Sequence, residues 1–190
     1  MPDSGAHLYW DTNIFVAYLN DERAAYGTYI DHIGQYLEEA KDGKCVVYTS
    51  ALTIAEVPKR RLVRSNYGSF TEFLNDYEGI VVQVAADPPI MRVAAEIKNL
   101  RYQKSGGVRE VGTPDAIHLA SALALGDTYG VSLTAFHNFD SGKGKGTEGR
   151  AVPLLSYEDW CGGCSNDPVA KRVIALRRMR PDHPNPRLFG

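Results

Sequence analysis

His7-Leu8-Tyr9-Trp10-Asp11-Thr12-Asn13-Ile14-Phe15-Val16-Ala17-Tyr18-Leu19 is the stretch that decides the fold. His7 to Trp10 reads as a short strand, and Asp11-Thr12-Asn13 turns directly into an apolar helix over Ile14 to Leu19. An acid placed where a buried strand gives way to a helix sits at the edge where α/β folds collect their ligands.

The rest of the chain continues the alternation. Tyr26 to Lys41 is predicted helical from Ile30, Ile33, Leu37 and Ala40, and it ends near Gly43. Cys45 to Tyr48 reads as a buried strand. Ser50 is expected to cap a helix carrying Leu52, Ile54, Ala55 and Glu56, which Pro58 should kink, with Arg60, Arg61 and Arg64 on its continuation. Ile80 to Val84 reads as a third strand, and Pro88 or Pro89 opens a helix reaching to about Tyr102. Thr113 is expected to cap a largely buried helix over Asp115 to Leu125, with Pro114 in its favoured first position. Asp115, His118 and Ser121 form its one polar stripe. Val131 to Thr134 reads as a fourth strand and Ala151 to Leu155 as a fifth. Strands alternating with helices imply an α/β sandwich around a mainly parallel sheet.

Four carboxylates stand at the ends of these apolar segments: Asp11, Glu56, Asp115 and Asp140. Burying such charges is costly unless something offsets them. Oxygen donors without a nitrogen or sulfur majority favour hard Mg²⁺ or Mn²⁺ over zinc. Hydrolysis of a phosphodiester is the chemistry that follows most naturally from such a site.

Bulk properties set the frame. A chain of 190 residues, 44% of them hydrophobic, is large enough for one domain with a sizeable core. No apolar run approaches the roughly 18 residues of a bilayer span. The first residues carry no secretion signal, and three cysteines make no disulfide framework, so a cytoplasmic protein is expected. The net charge of −2 conceals an asymmetry: Ser165 to Gly190 holds six Lys or Arg against two Asp. The division expected is a body over residues 1–160 and a basic extension over 161–190. An acidic body repels nucleic acid, so an RNA contact must use local basic patches or metal ions.

Three segments in order carry a resemblance: the strand ending in Asp11-Thr12-Asn13, the run Thr49-Ser50-Ala51-Leu52-Thr53-Ile54-Ala55-Glu56, and Thr113-Pro114-Asp115-Ala116-Ile117-His118-Leu119-Ala120. Together they resemble the PIN-domain family, with the VapC-type toxin ribonucleases the nearest branch, over roughly Leu8 to Leu155. The resemblance implies a three-layer α/β/α fold and a metal-dependent endoribonuclease acting on single-stranded or structured RNA. It further implies a homodimer and, in the toxin branch of type II toxin–antitoxin pairs, a cognate antitoxin protein. Asp11, Glu56 and Asp115 match the family's first three acids. The family's fourth acid often lies two residues after the threonine that ends its strand, which here is Phe136, so Asp140 takes that role as the only carboxylate between Asp127 and Glu148. Asp11 and Asp115 would ligate Mg²⁺ or Mn²⁺. Glu56 and Asp140 would complete the acidic pocket, and Thr12, Asn13 and Thr134 would steady the carboxylates.

Other readings compete. Asp11 and Asp115 suit helix N-termini on electrostatic grounds alone, but capping does not account for Glu56. His118 reads as a hydrogen-bonded residue of a buried helix rather than a base. Cys161-Gly162-Gly163-Cys164 has too little chain after it for a dithiol redox domain, and its spacing to His183 is not that of a zinc finger. Ser141 to Thr147 lacks the Gly-Lys-Ser/Thr of a phosphate loop, so Lys143 and Lys145 are candidates only for RNA backbone contact. The seam Val169, Val173 and Leu176 is expected to dock on this domain, a second subunit or a partner. A catalytically degenerate PIN domain serving as a binding scaffold is the second reading. A haloacid-dehalogenase-like phosphatase is the third and weakest, because Asn13 stands where that chemistry needs a second Asp.

Overall fold

Tyr9 and Trp10 point to opposite faces of the first strand, and the two cores of the protein grow from that alternation. A computed structural model describes residues 5–105, 107–142 and 151–183. In chain order the principal elements are β1 (Ala6–Trp10), α1 (Thr12–Leu19), α2 (Arg23–Tyr26), α3 (Tyr29–Lys41), β2 (Cys45–Ser50), α4 (Leu52–Glu56), α5 (Phe70–Asp76), β3 (Val81–Val84) and α6 (Pro88–Asn99). A small antiparallel hairpin follows, β4 (Tyr102–Lys104) and β5 (Gly107–Arg109), then α7 (Thr113–Asp127), β6 (Ala135–His137), α8 (Pro168–Ala175) and β7 (Arg178–Met179).

The central sheet has the order β3-β2-β1-β6-β7 and every pair in it is parallel. Leu8, Trp10, Val47 and Ala135 pack with α1, α3 and α5 on one face. Tyr9, Tyr48 and Phe136 pack with α6, α7 and α8 on the other. This is the expected three-layer α/β/α sandwich. The chain leaves β1 toward β2 on one side and returns to β6 on the other, so β1 marks the point where strand order reverses. Among the described residues no helix is long and apolar enough to cross a membrane.

Several boundaries differ from the sequence reading, each for a local reason. The helix expected from Tyr26 begins at Tyr29, because Gly27 takes a positive φ of 58° and separates it from the one-turn α2. Ser50 belongs to β2 rather than capping α4, although its Oγ still accepts from the Leu52 amide (3.2 Å). Pro58 stops that helix instead of kinking it, and Lys59–Arg61 form a separate 3₁₀ turn. The α6 helix ends at Asn99, and Tyr102 starts the hairpin. Gly112, not Thr113, occupies the cap position of α7.

The fourth strand is Ala135–His137, not Val131–Thr134: Val131 still closes α7 through its amide on the Leu125 carbonyl, and register with β1 begins at Leu8↔Ala135. Ala151 makes a single bridge to Glu110, and Pro153 leads into a 3₁₀ segment over Leu154–Trp160. The fifth strand is instead β7, bonded through Phe136 N to Arg177 O and Asn138 N to Met179 O. Residues 168–179 of the basic extension thus form α8 and an edge strand. Asp167 caps α8, and Ala170 and Val173 are buried against this domain.

Candidate active site

Asp11 follows β1 directly, and continued alternation turns its side chain to the same face as Tyr9, toward His118 of α7. It is buried, caps α1 by accepting from the Thr12 amide at 2.7 Å, and is gripped on its other oxygen by Asn13 Nδ2 at 2.6 Å. Glu56 arrives on the last residue of α4. Thr12 Oγ1 donates to its Oε2 at 2.6 Å, and His118 Nε2 lies 2.8 Å from the same oxygen. A chain of hydroxyls holds this corner to the sheet: Thr49 Oγ1 donates to the Trp10 carbonyl and meets Thr53 Oγ1 at 2.8 Å, and Thr53 in turn contacts Thr12.

His118 is fully buried on α7, as a hydrogen-bonded residue of that helix. Its Nδ1 meets the Tyr9 hydroxyl at 2.9 Å, and its Nε2 lies 3.5 Å from Asp11 Oδ1. Burial works against a charge on this imidazole, but Asp11 and the Glu56 hydrogen bond prevail and raise its pKa. The same exchange works on Glu56. Burial pushes its carboxyl up, yet His118 and Thr12 hold it below the ordinary value.

Asp115 stands in the first turn of α7. Burial, then the charges of Asp11 and Asp140, push its carboxyl up to about 7. Its carboxylate occupies space that only a glycine leaves: a Cβ on Gly112 would lie 2.8 Å from Asp115 Oδ2. Asp11 is also raised, by burial first and by Glu56 and Asp140 in addition, against the opposing pull of His118.

Asp140 reaches the same cleft from the loop after β6. Its Oδ1 accepts from the Gly142 amide and its Oδ2 from the Leu154 amide, each at 3.0 Å, so its carboxylate also ties that loop. Phe136, the position suggested by the strand-ending threonine, is instead a buried ring stacked on Tyr9. With the strand placed at 135–137, the residue in register just beyond it is Asn138, because Trp10 pairs with His137 and Asp11 follows Trp10.

All four predicted acids therefore line one cleft of about 670 Å³, together with Thr12 and Asn13. Thr134 does not: its Oγ1 accepts from the His7 amide near the amino end of β1, at the far edge of the sheet. Arg61 lines the cleft and donates to the Glu56 carbonyl at 2.9 Å, while the Arg64 amide is bonded to Asn20 Oδ1. Lys143 and Lys145 lie outside the described residues. Cys161 and Cys164 are buried free thiols raised by burial, with Cys161 pushed up to about 12, which suits packing and not redox exchange.

Sequence reasoning missed four other residues that line the cleft: Tyr26, Tyr29, Phe139 and Arg180. The i, i+3 spacing of the two tyrosines was a legible signal. Nothing in the sequence pairs either of them with Phe139 or Arg180.

The carboxylates at the cleft supply oxygen donors and raise one another's pKa, with His118 relieving only part of that repulsion, which suits a hard divalent cation. Among the described residues, however, no group of three or more His, Cys, Asp or Glu is gathered in metal-holding geometry. Comparison of the chain with known protein families, with curated proteins and with solved structures finds no match.

Proposed function

We propose that this protein is a metal-dependent endoribonuclease that cleaves single-stranded RNA, acting as the toxin of a type II toxin–antitoxin pair. One observation carries the chemical part of this reading. Four carboxylates from four separate segments meet in one cleft, at the carboxyl edge of a parallel sheet where strand order reverses. The biological part rests on the resemblance of the three acid-bearing segments to PIN domains, which also supplies the homodimer and the cognate antitoxin as partners.

Asp11 and Asp115 would hold Mg²⁺ or Mn²⁺, with Glu56 and Asp140 completing the acidic wall. When bound, such an ion lowers the pKa of a coordinated water and neutralises charge on the phosphoryl oxygens. The remaining work belongs to the chain. Asn13 fixes the plane of the Asp11 carboxylate through Oδ2. His118 Nε2 and Thr12 Oγ1 fix that of Glu56 through Oε2. His118 contacts both Asp11 and Glu56, and these acids raise its pKa, so the imidazole eases their packing together. Arg61 adds a positive group at the rim, where an RNA phosphate would approach.

Asp140 favours a second reading, a scaffold that binds without cutting, because both its oxygens already accept backbone amides. Incubation of a mixed single-stranded RNA pool with Mg²⁺, Mn²⁺ or EDTA separates the two. Cleavage that needs the metal and is lost in Asp11→Asn and Asp115→Asn establishes the nuclease. Undiminished cleavage in those variants removes the assignment of these acids. A folded protein that binds the pool but cuts nothing under either metal establishes the scaffold.

A further inference from the structure

The buried hydrogen bonds behind the acids run in a direction that can be read from one end. Thr49 Oγ1 spends its proton on the Trp10 carbonyl at 2.9 Å, so across 2.8 Å it accepts from Thr53. Thr12 Oγ1 gives its proton to Glu56 Oε2 at 2.6 Å, and its 3.3 Å contact with Thr53 is at most a minor branch of that proton. Glu56 is held below the ordinary carboxylate value, so near neutral pH it is ionised and can only accept. His118 Nε2 faces Glu56 Oε2 at 2.8 Å and Thr12 Oγ1 at 3.1 Å, two oxygens with no proton left to offer it. Nε2 must therefore carry a proton, in the neutral ring as in the charged one.

That leaves Nδ1 as the second anchor of the ring, and the Tyr9 hydroxyl meets it at 2.9 Å. A hydroxyl suits this place because it donates to a bare nitrogen and accepts from a protonated one. Burial holds the phenol in its protonated form, so it keeps both options. The ring that carries it is fully buried, stacks on Phe136 at 4.9 Å and meets His118 edge-on at 5.9 Å. Ser121, buried one turn beyond His118 on α7, borders the same hydroxyl. Packing alone would be served as well by phenylalanine, since a buried hydroxyl is costly unless it is used.

We infer that Tyr9 is a positioning residue: its hydroxyl fixes the His118 ring, and through that ring the Glu56 carboxylate, so that β1 places two of the four acids. Asp11 follows the strand directly, and Glu56, carried by α4, is held to it across two side chains. Tyr9 lies behind the cleft and does not line it, so it acts only through His118. The inference rests on the nuclease reading only for what Glu56 does once it is placed.

Tyr9→Phe tests it by removing one oxygen while keeping the ring and its stack. The first readout is nitrogen NMR of the histidine side chains in the full-length, metal-free protein, with the His118 signal identified by its loss in His118→Gln. The wild type should show a proton on Nε2 that is protected from water. Tyr9→Phe should speed its exchange about 2- to 10-fold, the factor that one hydrogen bond supplies. The second readout is cleavage of single-stranded RNA in Mg²⁺: kcat should fall about 10-fold with KM unchanged. Tyr102→Phe is the matched control, because its equally buried hydroxyl bonds the Ile97 carbonyl at 2.7 Å and Tyr157 at 2.8 Å, away from the cleft. It should lower stability to a similar degree and leave both readouts unchanged.

A bare Nε2 in the wild type overturns the inference, and that result needs no variant to fold. An unchanged His118 signal in Tyr9→Phe overturns it too, as does a loss confined to KM or one that Tyr102→Phe reproduces. A wild type that cuts no RNA under either metal sinks the nuclease reading alone, because the NMR result still decides the place of Tyr9.

Discussion

Two histidines, 0% and 1% exposed, sit near the same edge of the sheet and titrate in opposite directions. His118, on the α7 face, lies among Asp11, Glu56 and the Tyr9 hydroxyl, and its pKa is raised. His137, on the α3 face, packs against the Tyr36 ring at 5.2 Å, and its Nδ1 has no hydrogen-bond partner among the described residues. Burial and the charge of Arg177 lower it to about 3. Burial opposes the charged form in both, so partners decide the sign. One sheet thereby carries a buried histidine with a raised pKa on one face and one with a lowered pKa on the other, and the cleft at its edge is lined from both.

The comparison can be broken first at His118. Replacing it with Leu removes the imidazole that contacts both Asp11 and Glu56. The expected loss is about 1–3 kcal/mol, the cost of leaving a buried polar group without its hydrogen-bond partner. Urea unfolding at pH 8 measures it, and a variant as stable as the wild type would show that the acids do not depend on the imidazole.

His137→Phe tests the other face. The folded protein takes up this proton only near pH 3, and the unfolded chain takes it up below about 6.5. The contribution is therefore complete above pH 6.5 and is lost as pH falls toward 3, by up to about 1.4 kcal/mol per unit. The difference between wild-type and variant stability profiles should show that slope. Parallel profiles would remove His137 as its source.

Gly112→Ala sharpens the contrast within the α7 face alone. The added methyl meets the end of a flexible carboxylate, so stability should change by less than about 1 kcal/mol. Displacement of Asp115 should lower metal-dependent cleavage about 10- to 100-fold. Normal turnover would mean that the position of Asp115 is not critical. Thr134→Ala sets the baseline at the opposite edge: a stability change within about 0.5 kcal/mol and unchanged cleavage. A marked loss of activity there would return Thr134 to the site.

Legibility followed the range of the interactions involved. Asp11, Glu56 and Asp115 are set by local strand-to-helix transitions, and local periodicity found them. Asp140 was reached only by elimination, as the one carboxylate between Asp127 and Glu148, because the start of β6 is decided by pairing with β1 and not by the alternation in Val131 to Thr134. Pairing also selected β7: the short Arg178–Met179 strand has little strand character of its own and exists because β6 offers it an edge. Arg180 was hidden for the same reason, since its place follows from that docking. Thr134 misled because a strand shifted by a few residues moves a side chain from one end of the sheet to the other.

The β1–β6 pairing also has a consequence for how the protein is made. His7 and Thr134, bonded at the start of that pairing, are 127 residues apart along the chain. β1 can find β2 early, but Asp115 and Asp140 cannot meet Asp11 until that long loop has closed, a slow kind of contact to form. A nascent or truncated chain that stops before β6 can bury much of the α3-face core and still carry no complete set of acids. The complete four-acid cleft is then a late event in synthesis, absent from every chain that stops short of β6.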